Sequence, residues 1–377
     1  MVRVRTPDVQ SRPGRTAVFV ATLTLAVGLT ACGQAADSGA APDQGDVAGE
    51  SVKIGLLLPD TITARWENFD RPLIENRIAE LCPDCTVEYA NAQGNVATQQ
   101  RQMETMITQG VDVLILDAVD PKALQNSVRN ATEVNVPVVA YDRLAEGPIA
   151  AYVSFDGAEV GRLQGEVLLE AMGGKADGGQ IVMMNGDPAD PNSDWFEEGA
   201  RSVLEGKVKI GKSYDTVGWR SDVAHVNMAG AIAALGPDSI DGVYAANDAL
   251  AFGVISALKA NHISPLPPVT GQDAELAAVQ RIVEGEQTMT VYKPFEPQAE
   301  AAAAIAVALG RGEPAEAIAE DEIDNTTDED IPAVLLTPIA VTVDNIVDTL
   351  VKDGMYTIDQ ICTPKYASAC ERAGLTT

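Results

Sequence analysis

Short apolar runs alternate with amphipathic stretches along almost the whole chain, and this alternation limits the possible folds more than any other feature. Nine such runs, from residues 52–58 to residues 288–292, have the continuous apolar character of strands covered on both faces. Stretches of about 10–15 residues with helical periodicity separate them. The pattern predicts an α/β fold. Because one parallel sheet of nine strands would be unusually wide, it predicts two doubly wound parallel-sheet lobes.

Composition excludes several classes of function. The 377 residues include 26 Lys+Arg and 55 Asp+Glu, for a net charge of −29, whereas nucleic acids and anionic membrane surfaces require a basic face. The two histidines, His225 and His262, cannot form a multi-histidine zinc centre, and we predict neither a metal nor a cofactor. The acidic segment 320–330 lacks EF-hand spacing and predicts a solvated loop.

The first 31 residues have the features of a lipoprotein signal peptide. Four arginines precede an uncharged run, 17–29, whose helix of about 20 Å is too short to cross a membrane. The run ends in Leu29-Thr30-Ala31-Cys32, which resembles a bacterial lipobox. We therefore expect export, cleavage before Cys32, and a lipid anchor on its sulfur at the outer face of the cell membrane; the alternative is an ordinary signal peptide. Residues 32–50 predict a flexible tether.

The other four cysteines fit an exported protein. Cys82 and Cys85 lie close together, and Cys362 and Cys370 lie in the C-terminal tail, 351–377. An even number outside the cytosol predicts two disulfides, and of the three possible pairings we favour the two local ones. A redox role for Cys82 and Cys85 is disfavoured because Pro83 ends the preceding helix, whereas reactive motifs lie at helix N-termini.

Polar side chains follow the carboxyl ends of the predicted strands, where doubly wound sheets bind ligands. Each has a simpler explanation as a helix N-cap, a surface cation or a core aromatic, but together they predict one shared ligand site. Carboxylates, amides, cations and aromatic faces suit a neutral polyol such as a pyranose, and no glycine-rich phosphate loop is present. These side chains are Asp60, Asn91, Asp117, Asp142, Arg143, Asn185, Asp187, Trp219, Asn247, Asp248, Gln272, Asp273 and Lys293.

Several segments, in order, resemble the periplasmic sugar-binding proteins of bacterial ABC importers, in the ribose/galactose/xylose group. The most specific are Tyr141-Asp142-Arg143, Gly271-Gln272-Asp273-Ala274 and Thr290-Val291-Tyr292-Lys293-Pro294. The resemblance implies a type I periplasmic binding protein fold, with two lobes joined by a hinge of several chain crossings. It implies an N-terminal lobe of residues 51–155 plus about 294–330 and a C-terminal lobe of residues 156–293 plus about 331–350.

The resemblance also implies a ligand and partners. A monosaccharide, D-xylose or a related aldose, would lie between the lobes, and a monomeric, non-enzymatic protein would deliver it to an ABC permease with its ATPase. Around Asn192 the family pattern Asp-Asn-Asn-Ala is replaced by Asp190-Pro191-Asn192-Ser193, so this loop is expected to be reshaped. The implied ligand contacts are Arg65, Asp142, Arg143, Asn192, Trp219, Asn247, Asp273 and Lys293, with Trp66 and Trp195 as a second tier.

Other functions stay open at this point. Related binders that accept several aldoses share Ala64-Arg65-Trp66, and a lipid-anchored sensor would present the same sugar to a signalling receptor. A secreted glycosidase needs only two carboxylates. A sugar-responsive repressor would need a basic DNA-binding headpiece, and an export signal occupies that place here.

Overall fold

The computed structural model describes residues 51–375; the predicted signal peptide, the tether and Cys32 lie outside them. The strands in the described part are β1 Lys53–Leu58, β2 Thr86–Asn91, β3 Val113–Leu116, β4 Val138–Tyr141, β5 Ala151–Phe155, β6 Gln180–Met184, β7 Lys209–Tyr214, β8 Gly242–Ala245, β9 Thr290–Tyr292, β10 Asp321–Ile323, β11 Ile331–Leu336 and β12 Ile339–Val341. The α-helices are α1 Arg71–Leu81, α2 Val96–Thr108, α3 Pro121–Glu133, α4 Gly157–Met172, α5 Pro191–Leu204, α6 Ser221–Leu235, α7 Asp248–Ala260, α8 Leu276–Glu284, α9 Phe295–Gly310, α10 Ile358–Ile361 and α11 Ala367–Arg372.

The first lobe is built on a seven-stranded sheet in the order β10-β11-β5-β4-β3-β1-β2. All neighbouring pairs are parallel except β10 with β11. Side chains of β1 enter two cores: Ile54 and Leu56 pack with α1 and α9, and Leu57 packs with Met103 of α2 and Leu124 of α3. This sheet is therefore covered on both faces, as its continuous apolar strands predict.

The second lobe contains the parallel sheet β7-β6-β8 and the antiparallel pair β9-β12. Helices α4 and α5 pack with their backbones in close approach because small residues lie between them. A Cβ at Gly161 would come within 1.9 Å of the Phe196 carbonyl oxygen, and one at Gly199 within 2.0 Å of the Ala158 carbonyl oxygen. This contact fixes the first turns of α5 at the end of the β6 strand.

Strand ends also supply the helix caps. Asp120, Asp156, Asp190 and Asn247 each accept a backbone N–H at the start of the following helix. The cap explanation that the sequence offered for the strand-end side chains is therefore correct for Asn247. For Asp190 and Asn247 it does not exclude a second role, because both side chains also face the space between the lobes.

Within residues 51–375 the chain passes between the lobes three times. It leaves the first lobe after β5, returns between β9 and α9, and leaves again between β11 and β12. The last boundary differs from the expected one near residue 331, because Ile331–Leu336 pairs in parallel with β5 of the first lobe. Only Ile339–Val341 pairs with β9 of the second lobe, so the crossing falls at Thr337-Pro338.

The C-terminal tail packs on the second lobe rather than extending from it. Tyr356, Ile361, Cys370 and Leu375 share an apolar cluster with Val279 and other residues of α8. The two local disulfides that we favoured, Cys82–Cys85 and Cys362–Cys370, are both present. The second of them joins α10 to α11 within this cluster.

Some local predictions were wrong. Residues 269–271, predicted as a strand, make only one bridge, between Val269 and Val243, because the next backbone N–H and carbonyl, those of Ala245, bond to the Thr270 hydroxyl instead of to the backbone. The segment 320–330 is not simply a solvated loop: it contains β10 and a turn in which Asn325 donates to the carbonyls of Ala145 and Gly147. No helix among the described residues is long and apolar enough to cross a membrane.

Candidate ligand-binding site between the lobes

A small cavity lies where the strands of both lobes end. None of its lining residues is more than 6% exposed, so the lobes are closed over it. The lining residues are Thr63, Trp66, Asp142, Arg143, Asp190, Asn192, Phe196, Trp219, Asn247, Gln272, Asp273 and Lys293.

Asp142 is the central carboxylate of the first-lobe wall. It follows β4 in a left-handed conformation, with φ of 58°, and its carbonyl accepts hydrogen bonds from the hydroxyls of Tyr152 (2.8 Å) and Ser154 (2.9 Å) on β5. Its carboxylate accepts from Arg65 Nη1 at 2.8 Å. Burial favours the neutral acid, but Arg65, Lys293 and Arg143 hold the pKa of Asp142 below its usual value. Asp142 is therefore a charged acceptor.

Arg65 braces this carboxylate from behind. Its guanidinium donates to Asp70 from Nε (2.8 Å) and Nη2 (2.6 Å), and to Gln298 Oε1 from Nη2 (2.6 Å). The guanidinium also lies 4.4 Å from the centre of the Trp66 ring and 4.2 Å from that of Phe295. Arg65 is not among the lining residues of the cavity and lies behind Asp142, in a supporting position.

Arg143 links the two lobes across the cavity. Its Nε lies 2.8 Å from Asp190 Oδ2 of the second lobe, and its Nη1 donates to the Ala118 carbonyl at 3.1 Å. Asp117 lies 3.6 Å away on the first-lobe side, with neither carboxylate oxygen hydrogen-bonded within the described residues. Burial raises the pKa of Asp117 well above its usual value and also raises that of Asp190, and Arg143 opposes both shifts.

The second-lobe wall carries Asn247, Asp273 and Lys293. The Asn247 Oδ1 accepts from the Leu250 N–H at 3.0 Å, which leaves its amide NH₂ as the group that can donate elsewhere. Asp273 is left-handed, with φ of 89°, and its Oδ1 lies 2.9 Å from Lys293 Nζ. Lys293 Nζ is also 3.9 Å from Asp142 Oδ2, so the cation lies between carboxylates of the two walls.

Aromatic rings form the remaining faces of the cavity. Trp219 is left-handed, with φ of 52°, and its Nε1 donates to Asp190 Oδ2 at 3.1 Å. A Cβ at Gly186 would lie 2.0 Å from the Trp219 ring, so only glycine leaves room for the indole there. Phe196 packs against Trp219 at 6.4 Å between ring centres. Trp66, from the first lobe, has a buried Nε1 without a hydrogen-bond partner among residues 51–375.

The structure brings seven of the eight expected contacts to the cavity, all except Arg65. Asn192 lines it despite the altered loop, and its Nδ2 donates to Asp142 Oδ1 at 3.1 Å across the lobes. Of the second tier, Trp66 lines the cavity, whereas Trp195 is half-buried against an apolar cluster of the first lobe.

Three lining residues were missed by the sequence analysis, Thr63, Asp190 and Phe196, and Gln272 was placed at the shared ligand site but not among the implied ligand contacts. Phe196 lies four residues after Asn192 on α5 and Trp195 three residues after it, so helix spacing places both near the Asn192 face and could not tell which one lines the cavity. Asp190 and Gln272 stand beside expected contacts in quoted motifs, and no signal separated them from their neighbours.

Comparison with known proteins agrees with this architecture. A family model described as periplasmic binding protein domain matches residues 54–314. The chain is 39% identical over 313 residues to the D-xylose-binding periplasmic protein of Escherichia coli K12, across 81% of this chain and 92% of that protein. It is 31% identical to the multiple sugar-binding periplasmic protein SbpA of Azospirillum brasilense, across 82% of this chain and 91% of that protein.

Solved structures give the same result. An ABC transporter solute binding protein from Clostridium phytofermentans with bound β-D-glucose superposes with a TM-score of 0.76 at 28% identity, covering 82% of this chain and 99% of that one. A carbohydrate transporter solute binding protein from Chloroflexus aurantiacus, in complex with D-glucose, gives 0.74 at 27%, covering 82% and 98%. The chain therefore belongs to the periplasmic binding protein family, as a non-enzymatic binding protein with the type I fold.

Proposed function

We propose that this protein binds one monosaccharide, D-xylose or a related aldose, between its lobes and delivers it to an ABC permease. The observation that carries the proposal is the closed cavity itself, to which both lobes contribute carboxylates, amides and aromatic faces. A sugar presents hydroxyls around its rim and C–H groups on its faces, and this lining complements both.

The charged groups suit hydroxyl ligands. Asp142 and Asp273 accept hydroxyl hydrogens, while Arg143, Lys293 and the Asn247 amide donate to hydroxyl oxygens. Such charge-assisted hydrogen bonds are roughly twice as strong as neutral ones. Because the cations and carboxylates already neutralise one another, an uncharged ligand adds no unpaired charge to the buried site.

Two buried polar atoms point to a ligand that both donates and accepts. The Trp66 Nε1 donor and the Gln272 Oε1 acceptor both belong to lining residues and have no partner among the described residues. Buried polar groups in proteins are nearly always hydrogen-bonded, so a bound molecule is their natural partner. A polyhydroxy compound can satisfy both atoms.

Closure of the lobes explains how binding would be signalled to a transporter. The first lobe contributes four of the twelve lining residues and the second lobe eight, so a ligand that contacts both lobes binds the closed state better and shifts the population toward it. The interlobe contacts of Arg143 with Asp190 and of Asn192 with Asp142 hold the closed state together. A permease with its ATPase subunit would then recognise the relative position of the lobes.

The choice of sugar rests on relatives. The 39% identity to a D-xylose-binding protein favours D-xylose. A second candidate is a multi-aldose binder, which is favoured by the likeness to a multiple sugar-binding protein and to two structures that contain D-glucose. A sensor that presents the sugar to a receptor would use the same site.

Attachment to the membrane is part of the proposal. Cys32 would carry lipid and hold a monomer at the outer face of the cell membrane, on the periplasmic side if an outer membrane exists, through a tether of residues 32–50. Mass spectrometry of the mature N-terminus would detect the lipid. A Cys32→Ser variant that still fractionated with membranes would contradict the anchor.

Calorimetric titration with D-xylose, L-arabinose, D-ribose, D-glucose and D-galactose tests the binding function. We expect one sugar per chain, with D-xylose among the tightest. Asp142→Asn should weaken binding at least tenfold, because it removes a buried charged acceptor. The matched surface control, Asp222→Asn, pairs only with exposed Arg220 and should change nothing. No heat with any of these sugars would refute the proposal.

A further inference from the structure

We infer that Asp248 is a positioning residue for the ligand: together with Thr290, it fixes the strained turn that presents Asp273. The inference rests on the proposed function for its consequence in sugar binding, but its structural part can be measured without a sugar. Asp248 is fully buried and does not line the cavity. Its role is therefore carried by contacts with other protein groups.

The turn itself is unusual. Asp273 and Ala274 are consecutive non-glycine residues with positive φ, 89° and 48°. Such conformations persist only where the surrounding structure determines them, and they concentrate at functional sites. Asp273 is the cavity carboxylate beside Lys293, so a change in this turn would displace a group that faces the ligand.

Three successive backbone N–H groups of the turn donate hydrogen bonds to acceptors outside the turn. The Asp273 N–H donates to the Val291 carbonyl at 2.9 Å. The Ala274 N–H donates to Thr290 Oγ1 at 3.1 Å, and the Glu275 N–H donates to Asp248 Oδ2 at 2.9 Å. Two of the three acceptors are thus side-chain oxygens rather than strand carbonyls, which makes them open to substitution.

The Asp248 carboxylate joins these acceptors into one network. It accepts from Thr290 Oγ1 at 3.0 Å and from Gln287 Nε2 at 2.7 Å, in addition to the Glu275 amide. Gln287 is fixed in turn, because its Oε1 accepts from Arg281 Nε at 3.0 Å. Every hydrogen bond of the carboxylate is an accepted one, so an amide in its place would direct N–H groups at donors.

The network lies next to the three segments that carry the polar groups of the second-lobe wall, those of Asn247, Gln272 and Lys293. Asp248 follows Asn247 directly, and its own N–H donates to the Gln272 carbonyl at 3.0 Å. Thr290 lies three residues before Lys293 on β9. Gly271 leaves space for the network, since a Cβ there would come within 2.0 Å of Asp248 Oδ1.

Thr290→Val and Thr290→Ser form the matched pair that tests this role. Valine keeps the shape but removes the hydroxyl that links Ala274 to Asp248, whereas serine keeps it. With D-xylose as the probe, we expect at least fivefold weaker binding for valine and a serine variant close to wild type. Asp248→Asn should weaken binding more than Thr290→Val does.

A double variant separates positioning from general damage. If Thr290 acts through Asp273, then Thr290→Val should have almost no further effect on affinity in an Asp273→Asn background. An equal fivefold loss in that background, or wild-type affinity for Thr290→Val alone, would overturn the inference.

Hydrogen exchange of the Ala274 and Glu275 amides gives a readout that does not need a ligand. We expect faster exchange in Thr290→Val than in wild type and in Thr290→Ser; unchanged exchange would overturn the inference. If the wild type bound none of the sugars, the proposed function would fail, while the exchange data would still decide whether this network holds the turn.

Discussion

The two walls of the cavity are held in different ways. On the first-lobe wall, Asp142 is held by charges, because Arg65 binds it while also binding buried Asp70. The second-lobe wall depends more on backbone conformation: Trp219 and Asp273, like Asp142, have positive φ values fixed by local hydrogen bonds, and Asp273 also pairs with Lys293. A ligand that closes the lobes would therefore be held between a first-lobe wall stabilised mainly by ion pairs and a second-lobe wall that depends more on backbone conformation.

This difference has consequences for what each wall tolerates. Buried ion pairs fail badly when one partner is removed, because the other charge remains without compensation. A wall set by backbone geometry is instead sensitive to added atoms and to changes of φ preference. The following predictions test this contrast, from the largest expected effect to the smallest.

Removal of Arg65 should have the largest effect. Arg65→Met leaves both Asp70 and Asp142 buried without their main cation, so we expect a loss of about 3–5 kcal/mol in the free energy of unfolding. Sugar affinity should fall at least a hundredfold, although Arg65 does not touch the cavity. Urea denaturation and calorimetry measure the two quantities.

Arg162→Met is the control for that variant. Arg162 pairs with Glu159 and Glu166 on the exposed side of α4, and such pairs contribute about 0–1 kcal/mol each. If Arg65→Met were as mild as Arg162→Met, the first-lobe wall would not depend on its ion pairs.

The second-lobe wall should respond instead to one added methyl group. In Gly186→Ala the new Cβ would lie 2.0 Å from the Trp219 ring, so the indole must move, and the cavity lies beside it. We expect at least tenfold weaker sugar binding by calorimetry. Gly230→Ala on α6 is the control: no atom lies within 4 Å of its Cβ, and it should stabilise by up to about 1 kcal/mol without changing affinity. Unchanged affinity in Gly186→Ala would show that the Trp219 position is not set by shape.

Glu275, next to the second-lobe wall, and Asp142 of the first-lobe wall should differ in pH dependence. Burial and the nearby Asp273 charge raise the pKa of Glu275 to about 7, against the opposing effect of Arg281. Such an acid binds its proton more tightly in the folded chain, so stability should fall as pH rises from about 4.5 to about 7. For Asp142 the sign is opposite: its stabilising effect is present above pH 3.8 and is lost only as pH falls below that value.

Glu275→Gln tests this difference. Denaturation at pH 5 and pH 8 should show a decrease in stability that is larger in the wild type than in the variant, by on the order of 1 kcal/mol, because Asp117 and Asp190 keep their raised pKa values in both. Besides Asp273 and Arg281, buried Asp248 and Tyr356 interact with this side chain, and none of them is altered. A variant that loses as much stability as the wild type would exclude Glu275 as the source.

The sequence predicted the fold well because burial on both faces leaves a strong apolar signal. The pattern predicts a helix over residues 121–133 and a strand over residues 138–141, and these bounds agree with α3 and β4, because Pro121 marks the helix start and the strand residues are continuously apolar. The pattern predicts no strand at β5, where Ser154 interrupts the apolar residues, and the expected boundary near residue 331 places β11 in the second lobe. What assigns β11 to the first lobe is its pairing with β5, not its apolar pattern. Such pairing joins segments far apart in the sequence and cannot be seen in either segment alone.

The candidate site was predictable to the level of the strand end but not of the individual side chain. Arg65 and Trp66 are adjacent, yet one lies behind the cavity wall and the other lines it. Trp195 and Phe196 show the same problem on α5. The direction in which a side chain points depends on how its helix is rotated about its axis, and on partners such as Asp70 that lie close to it only after folding.

The smallest effect is expected where the sequence pointed to the wrong aromatic residue. Trp195 packs half-buried against the first-lobe cluster that contains Leu144 and Ala145, away from the cavity. Trp195→Leu should therefore change sugar affinity less than twofold, because the cavity lining is unaltered and only a peripheral apolar contact between the lobes is reduced. Phe196→Leu is the matched comparison, because Phe196 lines the cavity and supports Trp219, and it should weaken binding about fivefold. Calorimetry gives the loss of sugar affinity in each of the two variants. A larger loss for Trp195→Leu would mean that the apolar contact between the lobes outside the cavity contributes more to closure than the aromatic face of the second-lobe wall does.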